Sequence, residues 1–395
     1  MMIALLGFGK TTKALAKKFG NAIFFEEIEE TYQDNEGFLH QPFKAFDPAM
    51  FDIVVPSPGI PPSHPTIQKA KNKIVSEYDL FALQMPYSIW VSGTNGKTTT
   101  TQMITHLLSE KKTVAGGNIG TPLAKLDPKA RIWVLETSSF TLHYTKIAKP
   151  NLYVLLPITP DHISWHESFE AYEEAKLRPL SKLKEGEVAL VPKQYEHIST
   201  NGYLIGYEGI DDLCDRFNID PYRINFHGAF LLDALLALAV KKILFHRIDY
   251  KTINTFSLDP HKQEEFRDIE GRVWVDDSKA TNIDATLAAI SRYKDTRIHL
   301  ILGGDNKGVN LEPLIKNLHN VDIYAIGKAE PHIIEVAKKY NLPVHSTKTL
   351  ERAVDMIKKR MKKGEVALLS PACASLDQFK NYKDRGETFK QLVLS

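Results

Sequence analysis

A loop of glycine, lysine and threonine at residues 93–99 carries the residue types that bind phosphate. It follows the apolar run "IWVS" and precedes a stretch with helical spacing, so a strand leads through glycines to a helix N-terminus. Backbone N–H groups and the helix dipole attract anions there, Lys97 can neutralise outer phosphates, and Thr98 can offer a hydroxyl to Mg²⁺. The predicted nucleotide phosphate-binding loop consists of Gly93, Thr94, Asn95, Gly96, Lys97, Thr98 and Thr99.

This loop is shorter than the usual phosphate-binding pattern, because its first glycine comes too soon before Lys97. An ordinary turn rich in glycine and threonine would explain the composition. It would not explain the order of strand, glycines, lysine, threonine and helix, which is the order that phosphate binding requires. The sequence therefore favours a compact phosphate loop over a turn without a ligand.

Polar residues also follow the next two predicted strands. Glu136 comes directly after an apolar run, and "PDHISWH" places Asp161 and His162 after another. Each residue alone could be a helix cap or an exposed side chain. Because carboxyl ends of neighbouring parallel strands meet at one sheet edge, oxygen and nitrogen ligands from several strands together favour a magnesium site beside the loop.

The elements that must position these residues follow from hydrophobic periodicity. Strands at 89–92, 132–135 and 152–156 alternate with helices, including a predicted helix over 168–184. Such alternation predicts the α/β class with mainly parallel sheets. Three domains are expected: a small Rossmann-like N-terminal domain at 1–86, a central parallel-sheet P-loop ATPase domain at 87–257, and a C-terminal Rossmann-like, doubly wound domain at 258–395.

The composition limits the possible partners and compartment. A chain of 395 residues with 43% hydrophobic residues and a net charge of +2 gives no electrostatic signal for nucleic acid or membranes. Its two cysteines suit a reducing compartment, and the start "MMIALLGFGK" lacks the features of a signal peptide. We expect a cytoplasmic monomer without a nucleic-acid or membrane partner.

The motifs around the loop occur together in the Mur ligases, the ATP-dependent amide-forming enzymes of peptidoglycan synthesis. The shortened loop "SGTNGKTTT" resembles theirs, and the family's order continues with "GGNIGTPL", "LETSSF", "PDHISWH", "EEAKLRPL" and "DDSKATN". The C-terminal "LSPACASLDQFKNYKDRGETF" is similar to that of the D-glutamate-adding members. The resemblance covers most of residues 89–395, whereas the first 86 residues match loosely.

The resemblance implies an enzyme that adds D-glutamate to UDP-N-acetylmuramoyl-L-alanine at the expense of ATP. Phosphoryl transfer would turn the alanyl carboxylate into an acyl phosphate, which the amine of D-glutamate would attack before phosphate leaves. Lys97, His162 and Lys176 are implied as the catalytic residues. Positioning and charge neutralisation by Lys97 and two Mg²⁺ ions would supply most of the acceleration.

Lys176 is assigned a role by the resemblance alone, because it otherwise looks like an ordinary helical lysine near Glu173. In the family this lysine carries a carbamate derived from CO₂, an anionic group able to hold magnesium. The resemblance implies one Mg²⁺ held by His162 and the carbamate of Lys176. It implies a second Mg²⁺ held by Thr98 and Glu136.

Similarity also assigns substrate positions. The residues expected to bind D-glutamate are Lys279, Thr281, Lys307, Ser375 and Tyr382, the last standing where the family commonly has phenylalanine. Asp277 and Lys262 match positions near the ATP ribose and phosphates. The residues expected to bind the UDP substrate are Asn118, Ser138 and His162, together with Lys10, Thr11, Thr12, Ser57 and Gly59.

Three departures from the family pattern bear on nucleotide binding. Asp233 stands where an adenine-contacting asparagine is expected, and Lys262 replaces an arginine, which removes bidentate geometry. The N-terminal domain also lacks the acidic–Thr–Arg stretch that grips uracil in the family.

Other functions remain as alternatives. Another Mur-type ligase or folylpolyglutamate synthase would share the loop, although the latter would not be expected to show "SPACASLDQF". An NAD-dependent oxidoreductase could use "GFGKTT", but Thr12 occupies its third glycine position. A nucleotide-binding switch without chemistry would have no need of the strand-end ligands.

Overall fold

The computed structural model describes residues 2–118 and 120–395. These residues form two compact units: the first runs to Phe226 and includes Phe230–Phe256, and the second contains His227–Ala229 and Ser257–Ser395. The first unit carries two sheets and the second carries one. The predicted α/β class is therefore confirmed, whereas the three domain boundaries stay a prediction.

The N-terminal sheet has five strands in the order β3-β4-β2-β1-β5. Its pairs are parallel except for β3 with β4. The elements are β1 (Ile3–Leu6), α1 (Lys10–Phe19), β2 (Ala22–Glu26), β3 (Tyr32–Gln33), β4 (Leu39–Pro42), β5 (Ile53–Pro56), α2 (Pro65–Lys69) and α3 (Glu77–Phe81). Strand β1 is completely buried, as the apolar run "IALL" predicts for a central strand.

The second sheet of this unit has six parallel strands in the order β11-β10-β9-β6-β8-β7. Its strands are β6 (Tyr87–Ser92), β7 (Thr113–Gly117), β8 (Ile132–Glu136), β9 (Leu152–Leu155), β10 (Val188–Pro192) and β11 (Tyr203–Tyr207). The helices are α4 (Lys97–Leu107), α5 (Ser139–Tyr144), α6 (Ile163–His166), α7 (Phe169–Leu177), α8 (Ile210–Phe217), α9 (Gly228–Phe245) and α10 (Tyr250–Ile253). Strand β6 lies between β8 and β9, which places the ends of all three strands side by side.

One predicted helix was too long. The stretch 168–184 contains α7, which ends at Leu177, and a separate 3₁₀ turn at Leu180–Lys182. Pro179 explains the break, because proline has no N–H to continue the helical hydrogen bonds. Among the described residues, no helix combines the length and apolarity needed to cross a membrane.

The second unit is built on one sheet with the order β12-β13-β17-β14-β15-β16, in which only β12 with β13 is antiparallel. Its strands are β12 (Glu264–Arg267), β13 (Val273–Asp276), β14 (Ile298–Gly303), β15 (Val321–Ile326), β16 (Val344–Lys348) and β17 (Val366–Leu369). The helices are α11 (Ile283–Ser291), α12 (Glu312–Ile315), α13 (Glu330–Lys339), α14 (Leu350–Arg360) and α15 (Tyr382–Leu394). Loops at the carboxyl ends of these strands are where such sheets bind ligands.

Candidate active site

The predicted phosphate loop connects β6 to α4 through two glycines with positive φ. Gly93 has φ +135° and Gly96 has φ +82°. A methyl group added at Gly93 would lie 2.5 Å from Cβ of Leu156, and one at Gly96 would lie 2.4 Å from Oδ1 of Asp233. Neither position has room for a side chain, so both the backbone conformation and the packing require glycine.

Lys97 begins α4 and folds back over the loop. Its ammonium donates a hydrogen bond to the carbonyl of Thr94 at 2.6 Å. Burial lowers the pKa of Lys97, while the charges of Glu136 and Asp161 act in the opposite direction. A lysine in this position, at the amino end of a helix, has the placement expected of a phosphate ligand.

Glu136, at the end of β8, meets the loop through Thr98. The Thr98 hydroxyl donates to Oε2 of Glu136 at 2.8 Å, and Nδ2 of Asn118 donates to Oε1 at 2.7 Å. Glu136 is buried and makes no ion pair with any residue of 2–118 or 120–395. The hydrogen bonds to this buried carboxylate come from neutral donors, and the ammonium groups of Lys97 and Lys176 act on it from beyond ion-pair distance. A bound cation would therefore stabilise its charge, and hydroxyl and carboxylate oxygens are ligands that Mg²⁺ prefers.

Lys176 lies on α7 and reaches the same loop from the other side. Its side chain is 1% exposed, its amine donates to the carbonyl of Gly93 at 2.7 Å, and it lies 4.7 Å from the centroid of the Tyr172 ring. Burial lowers the pKa of Lys176 well below its usual value, and the charge of Lys97 lowers it further. This shift favours the neutral amine, which is the nucleophilic form of a lysine side chain.

His162 has a different environment from the other predicted ligands. Its side chain is 49% exposed, and Nε2 lies 3.6 Å from Oδ2 of Asp161. Its ring lies 4.7 Å from that of Phe140 and 6.3 Å from that of Tyr172. The structure thus brings Lys97, Glu136 and Lys176 into contact with the loop or its helix, with His162 on the Tyr172 side of the site.

Two further residues hold the loop: Tyr172, which the sequence analysis did not identify, and Asp233, whose role it did not assign. The Tyr172 hydroxyl lies 2.9 Å from Oγ1 of Thr94, and Asp233 accepts a hydrogen bond from the Thr100 hydroxyl at 2.9 Å. Asp233 was expected near adenine, and its buried carboxylate packs against Gly96. No sequence signal identifies Tyr172, because a buried aromatic residue on a helix usually indicates only a core position.

Three of the residues predicted to bind the UDP substrate, Thr12, Gly59 and Ser138, have polar atoms engaged in hydrogen bonds within the protein. The Thr12 hydroxyl donates to Gly7 O at 2.8 Å and accepts from Gly9 N at 2.9 Å, so its polar atoms close the turn before α1. Gly59 O accepts from the Trp165 indole at 3.2 Å. Ser138 caps α5 by accepting from Thr141 N at 3.1 Å.

The remaining candidates line two cavities. Thr11 and Asn118 line a small cavity of about 40 Å³, whose wall also contains Pro56 and Pro58 on either side of Ser57. Lys10 lines a larger pocket of about 480 Å³. The wall of that pocket combines aromatic rings with ammonium groups: Phe8, Phe24 and Phe38, with Lys10, Lys13, Lys17 and Lys125.

A buried histidine holds one wall of the larger pocket. The ring of His40 lies between those of Phe24 and Tyr32, at centroid distances of 4.8 and 4.5 Å. Nδ1 lies 2.5 Å from Oε1 of Glu26, and Nε2 lies 3.2 Å from Oδ2 of Asp34, which itself lines the pocket. No sequence pattern predicted this clamp, because its members lie on three different strands and a loop that only the folded sheet brings together.

In the second unit, the predicted D-glutamate residues lie on loops after neighbouring strands. Lys307 lies on the loop after β14, where its N–H donates to Oδ1 of Asp305 at 2.9 Å. That loop pairs with the loop of Ser375 through Asp305 N to Ala374 O and Ala374 N to Asp305 O, both at 2.9 Å. Lys307 and Ser375 are therefore held on adjacent loops.

The other predicted D-glutamate residues lie after β13 and at the start of α15. The Lys279 ammonium lies 5.8 Å from the centroid of the Tyr382 ring. Thr281 is exposed and directly precedes Asn282, the N-cap of α11. The structure thus brings Lys279 and Tyr382 together and leaves the Thr281 side chain open to solvent.

The predicted ATP residues of this unit are buried. Asp277 accepts from the Ser370 hydroxyl at 2.7 Å and from Gln263 N at 3.2 Å, and burial raises its pKa to about 7. The Lys262 ammonium lies 3.2 Å from Oδ2 of Asp259. Both side chains are therefore engaged within the unit.

Comparison with known proteins assigns the family. The description "Mur ligase middle domain" matches residues 91–202, and "Mur ligase, glutamate ligase domain" matches residues 264–373. A protein of Campylobacter jejuni subsp. jejuni serotype O:23/36 (strain 81-176) is 51% identical over 401 residues, covering 100% of this chain and 99% of its own. A protein of Helicobacter pylori (strain HPAG1) is 47% identical over 422 residues, covering 100% of both chains. Both are named UDP-N-acetylmuramoylalanine--D-glutamate ligase.

Solved structures support the fold. The MurF ligase of Thermotoga maritima in complex with ADP has a TM-score of 0.63 at 15% identity, covering 99% of this chain and 93% of its own. The UDP-N-acetylmuramate-alanine ligase MurC of the same organism has a TM-score of 0.59 at 15% identity, covering 99% and 98%. Both domains of the family match this chain, and relatives of 47–51% identity match it along its whole length. This chain therefore belongs to the Mur ligase family.

Proposed function

We propose that this protein joins D-glutamate to UDP-N-acetylmuramoyl-L-alanine and converts ATP to ADP and phosphate in doing so. The observation that carries the proposal is the compact loop at 93–96, which the side chains of Lys97 and Lys176 contact and beside which the Glu136 carboxylate lies. The relatives' shared name supports the choice of substrates. The ADP complex of a structural neighbour supports the choice of nucleotide.

The chemistry needs activation of a carboxylate, because oxide is a poor leaving group. The terminal phosphoryl group of ATP passes to the alanyl carboxylate, and the amine of D-glutamate then attacks the acyl phosphate and releases phosphate. The loop amides and Lys97 hold the phosphates and neutralise the charge that develops on them. Thr94, fixed by Tyr172, keeps the loop in the required conformation.

Magnesium fits the residues beside the loop. Thr98 and Glu136 would hold one ion, because their oxygens already lie 2.8 Å apart and the carboxylate makes no direct ion pair with the described residues. His162 and a carbamate on Lys176 would hold a second. Bound there, the ions would neutralise phosphate and acyl-phosphate oxygens.

The proposal includes carbamylation of the Lys176 amine by CO₂. An unprotonated amine attacks CO₂, and loss of one proton leaves an anionic N-carboxylate. The site favours this step because it is buried and because Lys97 disfavours a second ammonium nearby. The resulting anion would offset the positive charge of Lys97 and of the metal ions.

The UDP group is assigned to the larger pocket of the N-terminal sheet. Phe8 and Phe38, the phenylalanines of this pocket that are not fully buried, offer ring surface to a uracil, and its lysines offer charge to a diphosphate. Lys10, at the first turn of α1, is the residue placed to hold phosphate. Lys10→Ala is expected to raise the Kd for UDP about tenfold in calorimetry, whereas Lys18→Ala, on the exposed face of the same helix, should not change it.

A substrate panel tests the overall function. Phosphate release from ATP should require UDP-N-acetylmuramoyl-L-alanine and D-glutamate together, and mass spectrometry should find the corresponding amide. Turnover with L-glutamate and a folate, or with another amino acid in place of D-glutamate, would reject this assignment in favour of a sibling ligase.

Replacement of Lys176 tests the carbamate. Lys176→Ala is expected to lower turnover at least about 100-fold, and formate or acetate should restore part of it by supplying a carboxylate to the cavity. Lys182→Ala is the matched control, because Lys182 is a partly buried lysine that donates to the Thr145 carbonyl at 2.8 Å. Unchanged turnover in Lys176→Ala, or loss without rescue, would contradict the carbamate role.

A further inference from the structure

The second unit contains a completely buried arginine that neither the sequence motifs nor the chemistry above explains. Arg385 lies on α15 and is 0% exposed. Its Nε donates to the Ser278 hydroxyl at 2.9 Å, and Nη2 donates to the carbonyls of Ser278 at 2.8 Å and Cys373 at 3.2 Å. All three acceptors are neutral.

Arg385 also lacks a direct carboxylate partner, and the charges of Asp377 and Asp276 act on it only from beyond ion-pair distance. It makes no ion pair within the part of the chain that the structure describes, and Nη1 has no hydrogen-bond partner there. Burial lowers the pKa of Arg385 to about 10, so the guanidinium remains charged at neutral pH. Removing an unpaired charge from water is costly, and buried arginines are normally paired with carboxylates.

Arg272 of the same unit, whose side chain is 9% exposed, shows the usual arrangement. Nε of Arg272 lies 2.7 Å from Oδ2 of Asp268, and its Nη1 donates to the carbonyl of Lys358 at 2.6 Å. Asp268 is buried beside it and also accepts from the Trp274 indole. By contrast, no carboxylate forms an ion pair with Arg385 in the described part of the chain, and its Nη1 group can still donate a hydrogen bond.

The neighbours of Arg385 are the loops that carry the predicted D-glutamate residues. Ser278 directly precedes Lys279, and Cys373 lies two positions before Ser375. Nη1 lies 3.3 Å from the position that a Cβ at Gly304 would occupy, at the base of the Lys307 loop. One side chain thus contacts three loops and lies one helical turn from Tyr382 on its own helix.

We propose that Arg385 is a positioning residue for the acceptor amino acid: it fixes these three loops and places a buried positive charge beneath a pocket for a dicarboxylate. The inference rests on the proposed function and deepens it, because it explains why the acceptor should be an acidic amino acid. A second carboxylate gains from this charge, whereas an uncharged side chain does not. The unpartnered Nη1 group marks the side of the guanidinium that faces the Lys307 loop.

Kinetics of conservative variants test the proposal. Arg385→Lys keeps the charge but loses the three-point fork, and Arg385→Gln loses both. The KM for D-glutamate should rise about tenfold in the lysine variant and about 100-fold in the glutamine variant, the range expected for lost charge-assisted hydrogen bonds. The KM for ATP and for the UDP substrate should change less than about twofold.

Arg272→Lys is the matched control, since it perturbs a largely buried arginine of the same unit that is paired internally. It should lower thermal stability and leave the KM for D-glutamate unchanged. A wild-type KM for D-glutamate in both Arg385 variants, or an equal rise in the KM of all three substrates, would overturn the proposal.

A titration of the wild type keeps the proposal testable if the variants do not fold. In arginine-labelled enzyme with ADP and UDP-N-acetylmuramoyl-L-alanine present, D-glutamate should shift the guanidinium NMR signals of Arg385, and D-alanine should shift them much less. Equal shifts, or none at saturation, would overturn the inference. Failure of the wild type to form the amide would instead reject the proposed function, which separates the two outcomes.

Discussion

Glu77, the first residue of α3, is a buried carboxyl that accepts hydrogen bonds from the backbone of Ala124 and Leu123. It is 7% exposed, and the N–H of Ala124 donates to Oε1 at 3.4 Å. Burial raises the pKa of Glu77 from 4.5 to about 7, and its backbone hydrogen bonds reduce this shift only in part. The carboxyl therefore holds its proton longer in the folded protein than in the unfolded chain.

This shift predicts a specific pH dependence of stability. Below pH 4.5 both states are protonated at this site, and the free energy of unfolding falls as pH rises from 4.5 to about 7, because only the unfolded chain ionises freely. Glu77→Gln should remove that fall and be more stable than the wild type by about 2–3 kcal/mol near pH 8, with a smaller difference near pH 5. Urea unfolding at the two pH values measures it.

Asp268→Asn is the control, because the pKa of Asp268 is shifted in the opposite direction to that of Glu77. Desolvation raises the pKa of Asp268, but hydrogen bonds from Trp274 and Arg272 outweigh it and lower the pKa overall. Its contribution is present at neutral pH and is lost as pH falls, so this variant should be less stable than the wild type near pH 8. If Glu77→Gln differed from the wild type by the same free energy of unfolding at both pH values, the raised pKa of Glu77 would be contradicted.

Some single residues could be predicted from the sequence and others could not. Lys97, Thr98 and Glu136 follow from their positions at strand ends, because strand order alone brings them to one edge. Lys176 carried no such signal and was singled out only by resemblance. Arg385 was missed because its distinguishing feature is the lack of a carboxylate partner in the folded protein. Residue spacing along the chain does not show which side chains pair in space.

At the scale of elements, the turn between β6 and α4 depends on the space around Gly96. A methyl group there would clash with Asp233 at 2.4 Å and with Leu156 at 2.8 Å. Gly96→Ala is therefore expected to displace the loop and lower turnover about 100-fold, the order of loss that small misplacements of reacting groups produce. Steady-state phosphate release at saturating ATP measures this effect.

Gly186 provides a control with the same backbone conformation. It also has φ +82°, but nothing lies within 4 Å of an added Cβ. Gly186→Ala should cost about 1–2 kcal/mol of stability for the left-handed conformation and leave turnover nearly unchanged. If Gly96→Ala and Gly186→Ala lost the same activity, backbone strain at positive φ would explain why residue 96 must be glycine, and the packing around the phosphate loop would not.

Elements were predictable where periodicity and composition agree. Strands β6, β8 and β9 are apolar runs and were predicted to within two residues at each end. Strand β7 was not expected, because "TVAGG" ends in two glycines and lies at a sheet edge where little side-chain burial is needed. The excess length of the helix predicted at 168–184 came from continuing helical periodicity through Pro179, whose missing N–H overrides it.

At the scale of the whole molecule, the apolar clusters show which parts can fold alone. One cluster joins Leu5 and Phe24 of the N-terminal sheet to Trp90 and Tyr153 of the central sheet. The two sheets therefore share a core. This sharing explains why residues 1–86, although predicted as a separate domain, fall in the same compact unit as the central sheet.

The second unit has cores of its own on both faces of its sheet. Leu300 and Leu302 belong to one cluster, and the intervening Ile301 belongs to another, as side chains alternate between the faces of a strand. Each face is covered by helices from the same unit, such as α13 on one side and α14 on the other. This unit does not need the rest of the chain to bury its apolar surface.

Fragment folding tests this division. A fragment of residues 257–395 is expected to unfold cooperatively on heating with a near-UV circular dichroism signal, because its sheet retains both of its cores. A fragment of residues 87–256 should lack a cooperative transition and bind ANS, since removing the N-terminal sheet exposes the face that Leu5 and Phe24 cover. Residues 1–256 provide the matched comparison and should unfold cooperatively. Cooperative unfolding of 87–256 with a midpoint equal to that of 1–256 would show that the shared core contributes nothing to stability, and the N-terminal sheet would then be an independent domain as the sequence alone predicted.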